Sequence, residues 1–165
     1  MTPEPVVVTR AVQPYLAVHG TVTMDQIGAK VPAWSAEVYE WLGRREISTA
    51  GPEFIRYNVI DMRRELRLET GLFVAEPSAG DSRVVPGVLP SGRYVSLRRT
   101  GHPDQLVTEV AGLLDWADRR GLRWDMKSEP DGEHWGARFE VYHTDPATEP
   151  DAGKWDIELL FRLVD

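Results

Sequence analysis

Glu37-Val-Tyr-Glu-Trp41-Leu-Gly-Arg-Arg-Glu-Ile47 and Gly112-Leu-Leu-Asp-Trp116-Ala-Asp-Arg-Arg-Gly-Leu122 each end a stretch of helical spacing with a tryptophan followed shortly by a double arginine. Their surroundings match as well. Tyr15-Leu-Ala-Val-His19 runs into the first stretch and Tyr94-Val-Ser-Leu-Arg98 into the second. Each is followed by two strand-like runs, Phe54 to Ile60 and Glu65 to Val74 in one half, Trp135 to His143 and Trp155 to Val164 in the other. The shared order is strand, helix, strand, strand, and the matched Trp41 and Trp116 make duplication the better reading of it.

Both helices carry one apolar stripe. In the second, Leu106, Val110, Leu113, Leu114 and Ala117 recur at helical spacing, with Pro103 suited to the first turn and Gly121 to the end. The first places Ile27, Val31, Trp34, Val38, Trp41 and Leu42 on one face but contains Pro32, which has no N–H for the ladder, so a kink or a start near Ala33 is expected. Trp41 and Trp116 sit on these stripes and are expected to pack the helices onto a sheet. A first strand is expected over Val6 to Val12. The stretch Glu76 to Pro90, rich in Pro, Gly, Ser and Asp, reads as a junction favouring turns, and Thr144 to Gly153 as an acidic, proline-rich exposed loop able to move over a pocket mouth.

Composition narrows the function classes. The 165 residues suit one domain or two small intertwined halves. With 26 Asp and Glu against 19 Lys and Arg, the net charge is -7, a poor match for a nucleic-acid backbone. Cysteine is absent, which removes thiolate catalysis and thiolate zinc sites and fits a reducing cytoplasm. The start has no signal-peptide pattern, and no apolar run approaches the ~20 residues that span a bilayer, so neither export nor membrane insertion is expected. His19, His102, His134 and His143 show no metal-ligand spacing, and no glycine-rich phosphate loop precedes a helix; neither a metal nor a cofactor is expected.

The chemistry concentrates in Trp135-Gly-Ala-Arg-Phe-Glu-Val-Tyr-His-Thr-Asp145-Pro146. Strand alternation sets Trp135, Ala137, Phe139 and Val141 on one face and Arg138, Glu140 and Tyr142 on the other. Either the second face is solvated, with Glu140 paired to Arg138 or a cross-strand base, or it lines a concave pocket where a carboxylate and a phenol meet a flat, cationic organic ligand. A carboxylate between aromatic faces loses hydration and regains a partner only when a cation arrives. Aromatic candidates beside Glu140 are Tyr142 on the same strand face, Tyr57, then Trp34 and Tyr39 on the first helix; Trp135 alternates away unless Gly136 introduces a bulge. Glu65, Glu69 and Glu158 read as solvated strand residues, with Glu69 or Glu158 able to supplement Glu140 if its face turns inward.

The order of elements, the strand Phe139-Glu140-Val141-Tyr142 followed by Asp145-Pro146, the closing Asp156-Ile157-Glu158-Leu159, and Phe54-Ile-Arg-Tyr57-Asn-Val-Ile-Asp61-Met together resemble the GyrI-like small-molecule-binding domain over the whole chain. This family also supplies the effector-binding domain of bacterial multidrug-responsive transcription activators. The resemblance implies an α+β fold: a tandem βαββ repeat with pseudo-twofold symmetry, an antiparallel sheet, two main helices and a central ligand cleft. A single domain over 1–165 is expected, its units covering 5–76 and 83–165. It implies binding of lipophilic, often cationic and aromatic compounds, with the family's ligand-contacting glutamate falling on Glu140. Some family members resemble hydrolases of cyclopropane-bearing DNA-alkylating natural products, in which case Glu140 and Tyr142 would be catalytic, as base and supporting phenol. A third reading is a modulator of a protein partner, like the gyrase inhibitor that names the family. The regulators carry an amino-terminal helix-turn-helix, whereas here the first strand starts near the initiator, so direct DNA binding is not expected. The run Leu159-Leu160-Phe161-Arg162-Leu163 also departs from relatives, which usually have a proline there.

Overall fold

The computed structural model describes residues 3–61 and 63–164, so Met62, the last residue of the Phe54 stretch quoted above, lies outside the described residues. The chain runs β1 (Val6–Arg10), β2 (Gln13–Val22), α1 (Ile27–Arg44), β3 (Thr49–Ile60), β4 (Leu66–Val74), β5 (Val84–Leu89), β6 (Gly92–Thr100), α2 (Leu106–Arg119), β7 (Met126–Glu129), β8 (Gly132–Trp135), β9 (Arg138–Tyr142) and β10 (Asp156–Arg162). Short 3-10 turns precede α1 and α2 and a third precedes β10. All strand pairs are antiparallel in one ten-stranded sheet, ordered β1-β6-β10-β9-β3-β4-β2-β5, with β7 and β8 forming a hairpin against the end of β3.

The units are β2-α1-β3-β4 and β6-α2-β9-β10, and their inner strands β3 and β9 meet at the centre of the sheet. Outward from this seam the order is β4, β2, β5 on one side and β10, β6, β1 on the other, which is a pseudo-twofold. The leading strands are exchanged. β1 runs into β2 yet pairs with β6, while β5 runs into β6 yet pairs with β2.

The matched Trp and double-Arg features have a common structural cause. Each tryptophan packs its helix inward, and the second arginine of each pair folds back over it: the Arg45 guanidinium lies 3.7 Å from the Trp41 ring centroid and that of Arg120 4.0 Å from Trp116. Both helices then close with the same turn. Leu122 N–H returns to the Ala117 carbonyl and Ile47 N–H to that of Leu42, each at 3.0 Å. The residue between is left-handed in each case, Gly121 at φ 67° and Glu46 at φ 55°.

Four sequence expectations are corrected. α1 starts at Ile27 and continues through Pro32, because so near the amino end the proline forfeits only the bond to the Gly28 carbonyl. The junction after Glu76 contains β5; as an edge strand it tolerates Pro86, which needs no outward ladder bond. Trp135 to His143 is two strands. Gly136 donates its N–H to the Asp125 carbonyl at 2.8 Å and leaves no room for a Cβ, which would sit 1.9 Å from Asp125 Oδ2. Glu69, read as solvated, is only 4 % exposed.

Both faces of the sheet are buried. The helices cover a core containing Ile55, Leu68, Leu97, Leu113, Leu159 and Phe161. On the opposite face Phe54 packs against Tyr15 and Phe73, centroids 4.7 Å apart in each case, and against Phe139 at 5.3 Å. Among the described residues no helix is long and apolar enough to cross a membrane.

Candidate functional site

Glu140 sits on β9 directly opposite Ile55 of β3, at the seam of the two units and on the helix-covered face. Alternation carries Arg138 and Tyr142 to that face, and Tyr57 reaches it from β3. The Tyr57 hydroxyl donates to Glu140 Oε2 at 2.6 Å and the Tyr142 hydroxyl to Oε1 at 2.9 Å. Burial pushes the Glu140 carboxyl above its usual value, only partly offset by the two phenols and by Arg138. Burial and the adjoining carboxylate push both phenols well above theirs, so both remain donors.

Arg138 does not form the ion pair that the solvated reading of this strand required. Among the described residues its guanidinium makes no hydrogen bond, and Nε is buried without a partner. It is instead stacked, 4.3 Å from the Phe161 centroid, 4.9 Å from Trp135 and 5.8 Å from Tyr57. Burial lowers its pKa, while the nearby Tyr57, Glu140 and Glu133 act in the opposite sense. Glu140, Arg138 and Glu133 lie on the wall of a cavity of 430 Å³ between α2 and the sheet, otherwise formed by apolar residues such as Leu106, Val110 and Leu114 and by Tyr57 and Tyr142.

A second cavity, of 390 Å³, lies under α1. It is the pseudo-symmetric copy of the first. With Trp41 set on Trp116, its wall residues Val31, Ser35, Ala36 and Tyr39 fall on Leu106, Val110, Ala111 and Leu114. With Phe54 set on Phe139, Glu53 falls on Arg138, Ile55 on Glu140 and Tyr57 on Tyr142, and Tyr142 and Ile55 line both cavities. The loop after β9 contributes Asp145, Pro146 and Ala147, and Trp155 is held there by its indole N–H on the Glu149 carbonyl at 2.7 Å. Ser35 donates its hydroxyl to Glu53; burial raises the Glu53 pKa and Asp145 adds to the rise. The Tyr39 phenol is pushed up to about 12 by burial, Glu53 and Asp145.

The structure thus brings Glu140, Tyr142 and Tyr57 together around the α2-side cavity, and places Tyr39 on the α1-side cavity. Trp34 and Trp135 line neither. Trp34 packs against Gly20, where a Cβ would come within 2.2 Å of its ring. Trp135 is buried beneath Arg138, because the break at Gly136 turns it to the helix side but into the core. Sequence reasoning passed over Glu53, Asp145 and Trp155. Setting Phe54 on Phe139 was the signal for Glu53, since it then occupies the place of Arg138.

On the opposite face Glu69 accepts hydrogen bonds from Tyr15 at 2.7 Å and Asn58 at 2.8 Å and contacts His19 at 3.1 Å. Burial alone would raise its pKa, yet these partners hold it below the usual carboxylate value. The His19 imidazole is raised in turn, chiefly by its hydrogen bond to Glu69. The equivalent Glu158 accepts from Ser96 at 2.6 Å and contacts His143 at 2.8 Å, and is likewise lowered against its burial. His102 caps the turn before α2 and His134 contacts Asp131; no cluster of possible metal ligands occurs among the described residues.

A double βαββ sheet with a glutamate and two phenols at its seam defines a ligand-binding α+β domain. Residues 3–164 match the GyrI-like small molecule binding domain, and the chain belongs to that family. Its fold is similar to that of the EcmrR C-terminal domain, at 12 % identity over 100 % of this chain and 99 % of that one, with a TM-score of 0.77. It spans 57 % of the EcmrR chain in its DNA complex, covering 97 % of this chain at 12 % identity with a TM-score of 0.74. SAV2435 bound to tetraphenylphosphonium is similar at 11 % identity over 98 % and 94 % of the two chains, TM-score 0.62. A hydrolase from Listeria innocua is similar at 15 % identity over 99 % and 93 %, TM-score 0.63. No curated protein matches the chain.

Proposed function

We propose that this domain binds lipophilic, aromatic, often cationic small molecules in the α2-side cavity. The observation that carries this reading is the Glu140 carboxylate, half-buried between two phenols on the wall of a 430 Å³ space. A carboxylate desolvated in this way is stabilised by an arriving cation, and the tyrosine rings offer faces that tolerate varied ligand shapes. Glu140 and Glu133 outnumber the single Arg138 on the cavity wall, which also favours a cation. The similarity to SAV2435, which binds tetraphenylphosphonium, supports the same class. A net charge of -7 disfavours direct DNA binding, and the absence of cysteine accords with work in the cytoplasm.

Titration with tetraphenylphosphonium and cationic aromatic dyes, followed by tryptophan fluorescence, tests this reading. Glu140→Gln is expected to weaken binding at least ~10-fold, about 1.4 kcal/mol. Equal affinity in the variant would overturn it. The raised pKa of Glu140 beside two phenols also favours a hydrolase reading, in which the carboxylate takes a proton from water while Tyr142 supports the reacting group. Mass spectrometry of each recovered ligand separates the two, since turnover alters the mass and Glu140→Gln would abolish that change.

A further inference from the structure

The α1-side cavity has the same shape relation to its helix but a different charge. Glu53 and Asp145 face it, and none of its lining residues is a Lys, Arg or His. Among the described residues the Ser35 hydroxyl is the one hydrogen-bond partner of the Glu53 carboxylate. Thr70, only 1 % exposed, also lines this cavity, and its Oγ1 is buried with no hydrogen-bond partner. Such a hydroxyl is costly to leave unmatched. Tyr39 and Trp155 supply aromatic walls.

We propose that this cavity is a second binding site, selective for a protonated aromatic amine whose N–H groups are shared between Glu53 and Thr70 and whose ring lies between Tyr39 and Trp155. The unmatched hydroxyl separates this class from quaternary ammonium or phosphonium cations. Those carry charge but no N–H, so they satisfy Glu53 and leave Thr70 unpaired. The neighbouring cavity cannot duplicate the site, because Val110 stands where Ser35 does and Arg138 where Glu53 does. The two cavities, divided by Tyr142, are thus built for different ligands.

The test is calorimetric titration of the full chain with 1-naphthylmethylammonium, its N,N,N-trimethyl analogue and neutral 1-naphthalenemethanol. Wild type, Glu53→Gln and Glu140→Gln are compared, with thermal melts as a folding control. The primary ammonium is expected to bind more tightly than either analogue, and Glu53→Gln to weaken it at least ~10-fold. Glu140→Gln should leave that site intact. Unchanged binding in Glu53→Gln overturns the second site, whatever Glu140→Gln does, and binding sensitive to Glu140 alone would leave the α2-side reading standing. If Glu53→Gln does not fold, Tyr39→Ala takes its place, because Tyr39 is 42 % exposed and belongs to none of the buried clusters. A several-fold loss in that variant supports the site and no loss overturns it.

Discussion

The sheet carries buried or half-buried glutamates on both faces, and the two faces treat them in opposite ways. Glu69 and Glu158, on the face away from the helices, are supplied with donors from Tyr15, Asn58 and Ser96 and with neighbouring histidines, so their pKa values fall despite burial. Glu140, held by two phenols, and Glu53, held by one hydroxyl, have no histidine beside them, and burial wins. On the function proposed above, the difference separates scaffold from site. A carboxylate saturated by its own protein holds strands in register, whereas one left short of partners beside a cavity has affinity in reserve for something else.

The strongest test of this contrast is Glu69→Gln, which removes the charge facing Tyr15, His19 and Arg56, whose Nε lies 3.7 Å from the carboxylate. A loss of about 3 kcal/mol is expected in urea denaturation, with ligand affinity of the folded fraction unchanged. A smaller effect is expected from Tyr57→Phe, which removes the 2.6 Å bond to Glu140. About 1.5 kcal/mol should be lost, and the Glu140 pKa should rise further, as read by carboxyl-carbon NMR titration. Smallest, and opposite in sign, is the stability effect of Glu140→Gln, a gain of about 1 kcal/mol or less at neutral pH. Its pH dependence follows from linkage. The folded pKa of Glu140 lies above its unfolded value, so its contribution is fully present below the unfolded value and is lost as pH rises through the folded one. Glu69 behaves conversely, contributing above its unfolded value and losing that contribution as pH falls through the folded one. Thermal melts across this range should therefore show Glu140→Gln flattening the loss towards neutral pH and Glu69→Gln flattening the loss towards acid. Identical profiles for the two variants would remove the distinction between the faces.

Much of this is legible in the chain. Trp41 and Trp116, with Arg45 and Arg120 stacked on them, announce the duplication because the same local packing problem is solved twice. Glu140 and Tyr142 are readable from alternation on a short strand. Glu69 is not, because period-two spacing reports which residues share a face but not whether that face is covered, and here both are. Glu53 escapes for a related reason: its face can be read, but the gap left between α1 and the sheet by Ser35 and Ala36 is a property of packing. Trp135 depends on one backbone contact, Gly136 to Asp125, at the open end of the β7-β8 hairpin; composition marks the turn at Pro130-Asp131-Gly132 but not that closing contact.

The exchanged strands β1 and β5 have a mechanical consequence. Each unit is strapped by the leading strand of the other, so the halves cannot swing apart like a hinged book without unzipping a ladder at either edge. Room for a bulky guest must therefore come from the helices and the Asp145 loop riding up on a sheet that keeps its width. The strands that hold Glu140 and Glu53 thus keep their spacing, and the fit to a guest's bulk falls to the elements above them.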